Sequence, residues 1–427
     1  MNTEKGASVR QKRNDLTRRN AMVSAASLAG LRWGHAAAET QNLKIGVVSD
    51  MSGPYQSLGG PTSVACVRQA VQDFAGPRGI AVEVVTADHQ AKPDVGAAIV
   101  RQWFDRDGVD VVVDSLGTAV GLAVQGVARQ KNKVFLITAC TSTIFTNEQC
   151  SPNGIQWAYD TYLLAVSTGG ATVRAGGKKW FIIFADYQFG HQLRDDATAI
   201  VQANGGVVLG AVAHPYPGAT DFSAMLMQAR ASGADVIAFA NSGTDTVNAI
   251  KQAREFALHR LMKIVVLQMF IPDVHALGLE LANGLNLTET FYWDLNAGTR
   301  AFSARLAAKV PGVRACSLQA SAYSATLHWL KTAHDMGIAN AKADGRAVVA
   351  RMKAVPSDDD CLGVCQIRAD GRRLMPAYLF QVKTPDESSG PWDYYKLMAT
   401  TPAEQAAHTL AESRCPLIRA DGSMGSS

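Results

Sequence analysis

From residue 43 onward, short segments rich in β-branched residues alternate with helical segments, and this alternation runs through the chain twice. Such an alternation is typical of a parallel sheet with helices on its faces. We therefore expect an α/β protein with two halves. The first series predicts strands at Lys44–Ser49, Ala81–Ala87, Asp110–Val113 and Lys133–Thr138, with helices near Pro61–Phe74, Asp94–Asp105 and Ala119–Gln130. The second predicts strands at Trp180–Ala185, Gly206–Ala211, Asp235–Ala240 and Lys263–Leu267, with helices near Gly190–Ala203, Asp221–Ala231 and Asp245–Phe256.

The sequence after these two series has a different character. Residues 298–355 are predicted to be mostly helical, with Ala and Leu at helical spacing. Short strands are expected at Gln366–Arg368, Ala377–Val382 and Tyr394–Leu397, around Gly and Pro turns. Residues 401–427 are interpreted as a C-terminal tail.

Residues 1–38 differ in charge from the rest of the chain. They contain seven Lys and Arg against two acidic residues, whereas the remaining sequence has 34 basic and 35 acidic residues. A protein so close to neutral has no field that would steer it to nucleic acid or anionic lipid. We therefore expect no nucleic-acid partner.

The same segment is predicted to be an export signal. A basic stretch ends at Arg18-Arg19, a weakly apolar run of about 11 residues follows, and small residues up to Ala38 form a cleavage site. The arginine pair resembles a twin-arginine signal, although export by the Sec route stays open. The run is shorter than the ~20 residues that a membrane helix needs. We expect a periplasmic protein whose signal is removed near Ala38.

Seven cysteines follow the leader, and an odd number cannot all pair within one chain. Cys140 ends an apolar run and is expected to be a reduced core residue. Cys361 and Cys365 lie in a polar loop, where a local bridge between them is possible. No Cys or His set has the spacing of a zinc site, so no metal is predicted.

Motifs of known catalytic and nucleotide sites are missing from the sequence. It contains no Gly-x-Ser-x-Gly, no His-Glu-x-x-His and no Gly-x-x-x-x-Gly-Lys, and its histidines are dispersed. We therefore expect no catalytic residues and no cofactor. In open parallel sheets ligands bind beyond the carboxyl ends of the strands, so the loops after the predicted strands are the candidate binding site.

Three of these segments resemble the leucine/isoleucine/valine-binding family of periplasmic proteins: Ile45–Tyr55 (IGVVSDMSGPY), Ile182–Gly190 (IIFADYQFG) and Asp221–Ser223 (DFS). Matches in order cover about residues 43–400. The resemblance implies the type I periplasmic-binding fold, in which two lobes close on a ligand, and an ABC permease as partner. It places three hinge crossings near 158, 293 and 370. Lobe 1 would then comprise 43–158 and 294–370, and lobe 2 would comprise 159–293 and 371–400, in a protein expected to be a monomer.

The resemblance also implies how a ligand carboxylate is held, namely by backbone N–H groups and hydroxyls of lobe 1. The matching residues are Ala139, Cys140 and Thr141, with Leu116 and Thr118 beside them. Hydroxyls and free amides suit a carboxylate because charge-assisted hydrogen bonds are strong. The alternative is a polar loop that satisfies its own backbone.

On the lobe 2 side, amino-acid binders of this family place an acid that pairs with the ligand's ammonium group. The matching position lies at or next to Met269, where no acid stands, and Ser242 replaces an expected aromatic residue. A buried ammonium without a partner costs several kcal/mol. Asp245 remains a possible ammonium partner.

Aromatic residues in the loops and crossings are candidate cavity walls: Tyr55, Tyr162, Tyr187, Phe189, Phe270, Tyr292 and Trp293. Flat apolar walls with few polar groups favour an aromatic or branched apolar carboxylate. The hypothesis is an aromatic acid of the benzoate or hydroxycinnamate kind. A branched-chain or other hydrophobic amino acid or amide, a role in ligand sensing, and an exported enzyme remain as alternatives.

One disulfide is predicted from the topology that the resemblance implies. The tail would return past the first crossing, so Cys150 and Cys415 are expected to join and close a very long loop.

Overall fold

The computed structural model describes residues 42–418. The predicted export signal, its cleavage site and the end of the predicted tail lie outside these residues. Within 42–418, no helix is long and apolar enough to cross a membrane. The strands are β1 (Leu43–Ser49), β2 (Val82–Asp88), β3 (Val111–Asp114), β4 (Val134–Ile137), β5 (Gly154–Gln156), β6 (Lys179–Ala185), β7 (Val207–His214), β8 (Val236–Ala240), β9 (Lys263–Val266), β10 (Asn286–Glu289), β11 (Ala377–Val382) and β12 (Tyr395–Thr401).

Most helices connect neighbouring strands or cover the faces of the sheets. They are α1 (Gly60–Phe74), α2 (Pro93–Gln102), α3 (Thr118–Gln130), α4 (Thr161–Leu164), α5 (Ala171–Arg174), α6 (Gln188–Ala203), α7 (Ser223–Ala231), α8 (Thr244–Glu255), α9 (Ile271–Leu277), α10 (Leu279–Ala282), α11 (Ala297–Ala307), α12 (Ser317–Met336), α13 (Ile338–Ala343) and α14 (Gly345–Ala354). The helical block predicted for 298–355 is therefore confirmed.

Two separate parallel sheets confirm the predicted pair of α/β halves. The first has the strand order β2-β1-β3-β4-β5 and the second the order β7-β6-β8-β9. Strands such as Val111–Asp114 and Val236–Ala240 are buried along their whole length, because helices cover both faces of a parallel sheet. A third, antiparallel sheet has the order β10-β11-β12.

For description we keep the predicted limits, with residues 43–158 and 294–370 as lobe 1 and residues 159–293 and 371–400 as lobe 2. The strands of the first parallel sheet fall within lobe 1 and those of the second within lobe 2. With these limits the three crossings are the segments that join β5 to α4, β10 to α11 and α14 to β11.

The first and third crossings lie side by side. Gln156 donates its N–H to the Gly371 carbonyl at 2.9 Å, and Arg373 returns a bond to the Gln156 carbonyl at 3.1 Å. The buried Arg372 guanidinium pairs with the Asp160 carboxylate at this point. The strand predicted at Gln366–Arg368 is not formed, because this stretch makes only an isolated bridge at Ile367 and serves the crossing instead.

Candidate functional site

A cavity lies between the carboxyl ends of the two parallel sheets. Its volume is about 20 Å³, room for about one water molecule and far below the ~300–1,000 Å³ of occupied small-molecule sites, so the two walls lie nearly in contact. Lobe 2 contributes Tyr187, Phe189, Ser242 and Gln268. Lobe 1 contributes Tyr55, Leu58, Leu116, Gly117, Thr118, Ala139, Cys140, Thr141 and Leu318.

The turn after β3 holds part of the lobe 1 wall in an unusual backbone conformation. Asp114 and Ser115 have φ values of 84° and 69°, in the left-handed region that costs most residues energy. The Cys140 thiol donates to the Ser115 carbonyl at 2.8 Å, and the Leu116 N–H donates to His89 Nε2 at 3.3 Å. These bonds stabilise the turn and direct the chain into the first turn of α3, at Thr118.

The turn after β4 provides the rest of that wall. The Gln156 amide donates to the carbonyls of Cys140 and Ser142, at 3.1 and 2.9 Å. Both bonds lie on the backbone of the turn, so the Thr141 side chain is left to face lobe 2. Its hydroxyl oxygen accepts a bond from Gln268 Nε2 at 3.1 Å, and the hydroxyl hydrogen stays available to a ligand.

The lining of the cavity offers partial positive charges and no full charge, while two buried carboxyls with pKa values raised to about 6 by burial, Asp114 and Asp245, stand within three residues of it in sequence. None of the thirteen lining residues carries a charged side chain. Three helices begin beside the cavity, namely α3 at Thr118, α6 at Gln188 and α8 at Thr244. The N–H groups of a first helical turn have no partner within the helix and carry a partial positive charge. Among residues 42–418, no group of three or more His, Cys, Asp or Glu is placed to hold a metal ion.

Tyrosines form the far side of the cavity. The Tyr187 and Tyr216 rings stack at 3.9 Å between centroids, and the hydroxyls of Tyr55 and Tyr187 lie 3.0 Å apart across the two lobes. Burial raises the pKa of both Tyr55 and Tyr187 well above 10, so both phenols are neutral hydrogen-bond donors. A Cβ atom on Gly243 would lie 3.0 Å from the Tyr55 ring. The lobes are thus in contact here, and the cleft is closed.

Gln268 is the one side-chain amide of the lobe 2 wall, beside the hydroxyls of Tyr187 and Ser242. Its amide nitrogen donates to Thr141 and also to the Tyr159 hydroxyl, at 3.2 Å, so it links lobe 2 to lobe 1. Gln268 stands next to Met269, at or beside which the family resemblance places the acid of amino-acid binders. An amide at this point is neutral and cannot compensate the charge of an ammonium group.

Nine of the twelve residues predicted for the binding site lie together around this cavity: Tyr55, Leu116, Thr118, Ala139, Cys140, Thr141, Tyr187, Phe189 and Ser242. Three do not line it. Tyr162 stacks on His408 of the tail at 3.6 Å. Met269 is turned into the lobe 2 core, and Phe270 packs beside Tyr159 at the start of α9.

Two further candidate walls lie away from the cavity, in hinge contacts. Tyr292 packs against Tyr395 at 5.0 Å, and Trp293 donates its indole N–H to the Trp392 carbonyl at 2.7 Å. Both rings lie within the second crossing, between β10 and α11, where they pack against residues that follow β11.

The sequence-based prediction missed four of the thirteen lining residues, namely Leu58, Gln268, Leu318 and Gly117, the last of which lies between two residues that were predicted. Leu58 and Gln268 stand in loops that were predicted to face the cleft, so loop position was a usable signal for them. Leu318 lies in the first turn of α12, and nothing in the helical pattern of 298–355 distinguishes it. Its position depends on how the chain returns to lobe 1 after the second crossing.

A disulfide joins Cys150 to Cys415, whose Cα atoms are 5.5 Å apart. The backbone N–H of Arg414 donates to Asn147 Oδ1 at 3.0 Å, so the tail lies against lobe 1 near this bond. The other five cysteines are free and buried. The reduced state predicted for Cys140 is confirmed, and a local bridge between Cys361 and Cys365 is wrong.

Comparisons with known proteins agree with this geometry. A family model described as periplasmic binding protein matches residues 42–390. A periplasmic binding protein from Burkholderia mallei is 44% identical, with a TM-score of 0.84 over 89% of this chain and 100% of that one. A branched chain amino acid ABC transporter periplasmic ligand-binding protein from Burkholderia xenovorans is 35% identical, with a TM-score of 0.78 over 88% and 99%.

A more distant solved structure shares the fold alone. It is a solute-binding protein of an ABC transporter from Rhodopseudomonas palustris, in complex with benzoate. It is 20% identical, with a TM-score of 0.73 over 85% of this chain and 97% of that one.

Proposed function

The chain belongs to the periplasmic binding protein family, and we propose that it captures a small carboxylate with an apolar, aromatic body for an ABC importer. The observation that carries the ligand proposal is the chemistry of the closed cavity, in which uncharged donors stand opposite aromatic rings. The protein acts in the periplasm as a monomer after removal of its signal near Ala38. It delivers the ligand to a membrane permease without transforming it.

The lobe 1 wall offers the groups that a carboxylate needs. The first turn of α3 supplies backbone N–H groups with no helical partner, and the Thr118 and Thr141 hydroxyls can donate beside them. Hydrogen bonds to an ionised group are worth about 1.5–3 kcal/mol each. No fixed cation is needed, because the helix dipole adds a partial positive charge at the same point.

Aromatic rings support a flat apolar body for the ligand. Tyr55, Tyr187 and Phe189 line the cavity, and Tyr216 supports Tyr187 from behind by stacking. Aromatic rings prefer stacked or edge-to-face neighbours and contribute about 0.5–1.5 kcal/mol beyond the area that they bury. The neutral phenols also give hydrogen-bond donors to a ring hydroxyl of the ligand.

The lobe 2 wall gives no partner to an ammonium group. On the lobe 2 side the buried acids nearest in sequence to the lining residues are Asp245 and Asp273, and neither lines the cavity. Burial raises the pKa of Asp245 to about 6 and that of Asp273 to about 7. Asp273 already accepts the Phe270 N–H at 3.0 Å. An α-amino acid would therefore bury its ammonium unpaired, at a cost of several kcal/mol.

Isothermal titration calorimetry with benzoate, 4-hydroxybenzoate, a hydroxycinnamate and leucine tests the ligand class. We expect an aromatic acid to bind in the micromolar range or tighter and leucine to bind at least about 100-fold more weakly, a difference of ~2.7 kcal/mol. Tight leucine binding with no aromatic acid bound would replace the proposal by the amino-acid alternative, which the Burkholderia xenovorans relative favours by its description.

Two further experiments distinguish a transport protein from an exported enzyme and from a sensor component. Mass spectrometry of the ligand after long incubation is expected to return it unchanged, and a product would show an exported enzyme. Deletion of the gene is expected to abolish uptake of the ligand. A loss of the cellular response with uptake intact would show a sensor component.

A further inference from the structure

Glu289 is a fully buried acid that the binding site does not use directly. It is the last residue of β10, next to the second crossing between the lobes, and its exposed fraction is 0%. No Lys, Arg or His among residues 42–418 forms an ion pair with it. A buried carboxyl without a countercharge is costly, so its position calls for a physical reason.

The two carboxyl oxygens hold the first turns of two helices. One oxygen accepts the Ile271 N–H of α9 at 3.0 Å, and the other accepts the Ser317 N–H of α12 at 3.0 Å. The Tyr395 hydroxyl also donates, at 3.3 Å. N–H groups in a first helical turn lack partners within the helix, so Glu289 satisfies one of them in each helix.

These helices belong to opposite lobes and lead to opposite walls of the cavity. Helix α9 packs in lobe 2 and follows Gln268 by three residues, whereas α12 packs on α1 in lobe 1. Leu318, the residue after Ser317, lines the cavity. Glu289 is therefore bonded at once to two helices that begin beside the two walls of the cavity.

We propose that Glu289 is a positioning residue of the binding cycle, which fixes α9 and α12 on the two sides of the cavity and couples lobe closure to the uptake of one proton. This inference rests on the proposed function, since it concerns the closure that captures the ligand. It assigns no contact between Glu289 and the ligand.

The groups around Glu289 make its ionised form unfavourable. Asp273 comes from α9, Tyr395 from β12, Tyr159 from the first crossing and Cys316 from the residue before α12. All are acids and none supplies a positive charge. Burial, partly offset by the bonds from Ser317 and Ile271, raises the pKa of Glu289 to about 7.

The sign of the coupling follows from this environment. The pKa of about 7 in the closed form lies above the ordinary value of a glutamate, ~4.3. Opening separates α12 from α9 and lets water reach the carboxylate, which lowers its pKa. The closed form therefore binds the proton more strongly, so closure is favoured below pH 7 and loses this contribution as the pH rises through 7. Each unit of pKa difference changes the affinity about tenfold.

The test compares the wild type with Glu289→Gln and Asp273→Asn between pH 5.5 and 8. Benzoate and leucine serve as calorimetric probes, and both keep their carboxylate ionised in this range. We expect the wild-type affinity to fall about tenfold or more toward pH 8. Glu289→Gln, which resembles the protonated acid, is expected to keep the low-pH affinity throughout. Asp273 has a pKa that burial raises to about 7, and its ionised form raises the pKa of Glu289, so Asp273→Asn is expected to shift the midpoint to lower pH without flattening the profile.

Three results would overturn the inference. A wild-type profile without pH dependence would show that no proton is taken up. A uniform loss of affinity in Glu289→Gln at every pH would show a merely structural role. A profile that disappears in Asp273→Asn but persists in Glu289→Gln would assign the proton to Asp273.

A ligand-free measurement separates this inference from the proposed ligand class. Spin labels on Gln56→Cys and Thr220→Cys, exposed positions of the two lobes, report lobe closure by their distance, while the free native cysteines among the described residues are buried. If neither benzoate nor leucine binds, the proposed ligand class is wrong. The distance between the spin labels then decides whether lobe closure is coupled to the uptake of a proton. A closed fraction that rises at pH 5.5 in the wild type, but is independent of pH in Glu289→Gln, supports the coupling. Equal pH responses in both proteins refute it.

Discussion

The two walls of the cavity differ in the kinds of chemical groups that they expose to a ligand. Lobe 1 contributes the Tyr55 ring and three leucines, and beside them two backbone turns whose donors are N–H groups and the hydroxyls of Thr118 and Thr141. Lobe 2 contributes long side chains, chiefly Tyr187, Phe189 and Gln268. In lobe 1 the positions of the donors are set by backbone turns, whereas in lobe 2 they depend on rotamers. We infer that lobe 1 provides a general grip on an anion and that lobe 2 decides which anion is accepted.

Gln268→Glu is expected to have the largest effect, because it puts a charge on the wall that now has none. A buried carboxylate facing the ligand carboxylate costs several kcal/mol, so the affinity for an aromatic acid should fall by about 100-fold or more. The same charge can pair with an ammonium group, so leucine binding is expected to improve. Calorimetry with benzoate and leucine measures both changes.

Gln268→Met is the matched control, since it removes the bonds to Thr141 and Tyr159 without adding charge. It is expected to weaken both ligands to a similar, smaller extent. If Gln268→Glu and Gln268→Met behaved alike toward both probes, the selectivity would not be electrostatic, and the assignment of roles to the two walls would fail.

Removal of the Cys150–Cys415 disulfide tests whether the binding residues of lobe 1 keep their positions when the tail is no longer attached to that lobe. The bond closes a sequence separation of 265 residues and holds the tail near the loop that follows Thr141. Replacing both cysteines by alanine is expected to lower the free energy of unfolding by about 2–4 kcal/mol, measured by urea denaturation. The affinity for benzoate should change less than threefold, because the turns at Ser115 and Cys140 have their own bonds. A loss of binding free energy as large as the loss of unfolding free energy would contradict the prediction that the turns keep their positions without the disulfide.

Every residue that the sequence selected in lobe 1 lines the cavity, whereas three of the six that it selected in lobe 2 do not, and the reason is physical. Loops such as Leu116–Thr118 and Ala139–Thr141 follow buried strands, and in a parallel sheet the strand ends meet at one edge. The ends of buried strands can be predicted from their apolar, β-branched sequence, so the residues that follow them could be assigned to the cavity from the sequence. Their strained turn could not, because the left-handed φ of Asp114 depends on bonds from distant residues.

Lobe 2 side chains were harder to predict because neighbouring residues point in opposite directions. Gln268 faces the cavity while Met269 enters the core, and one residue of uncertainty exchanges the two. Tyr162 and Leu318 show a second limit. The contact of Tyr162 with the tail and the approach of Leu318 to the cavity both depend on how the crossings fold, which no local pattern records.

Thr118→Val tests the lobe 1 grip by removing one hydroxyl at the start of α3. A hydrogen bond to an ionised group contributes about 1.5–3 kcal/mol, so the affinity for benzoate should fall by about 10- to 100-fold. Thr146→Val is the control, since that buried lobe 1 hydroxyl donates to the Thr143 carbonyl and does not line the cavity. It should leave the affinity within about twofold. An unchanged affinity in Thr118→Val would place the anion elsewhere in the cavity.

Tyr187→Phe is expected to have the smallest effect and to separate the two contributions of the lobe 2 wall. The ring and its stacking on Tyr216 remain, and only the hydroxyl 3.0 Å from the Tyr55 hydroxyl is lost. A neutral hydrogen bond contributes about 0.5–1.5 kcal/mol, so the affinity should fall no more than about tenfold. Tyr187→Ala, which also removes the ring, should lose considerably more. Combining Tyr187→Phe with Tyr55→Phe should add little, because both remove the same contact between the lobes. Fully additive losses would mean that each phenol binds the ligand separately, and lobe 1 would then share in selecting the anion.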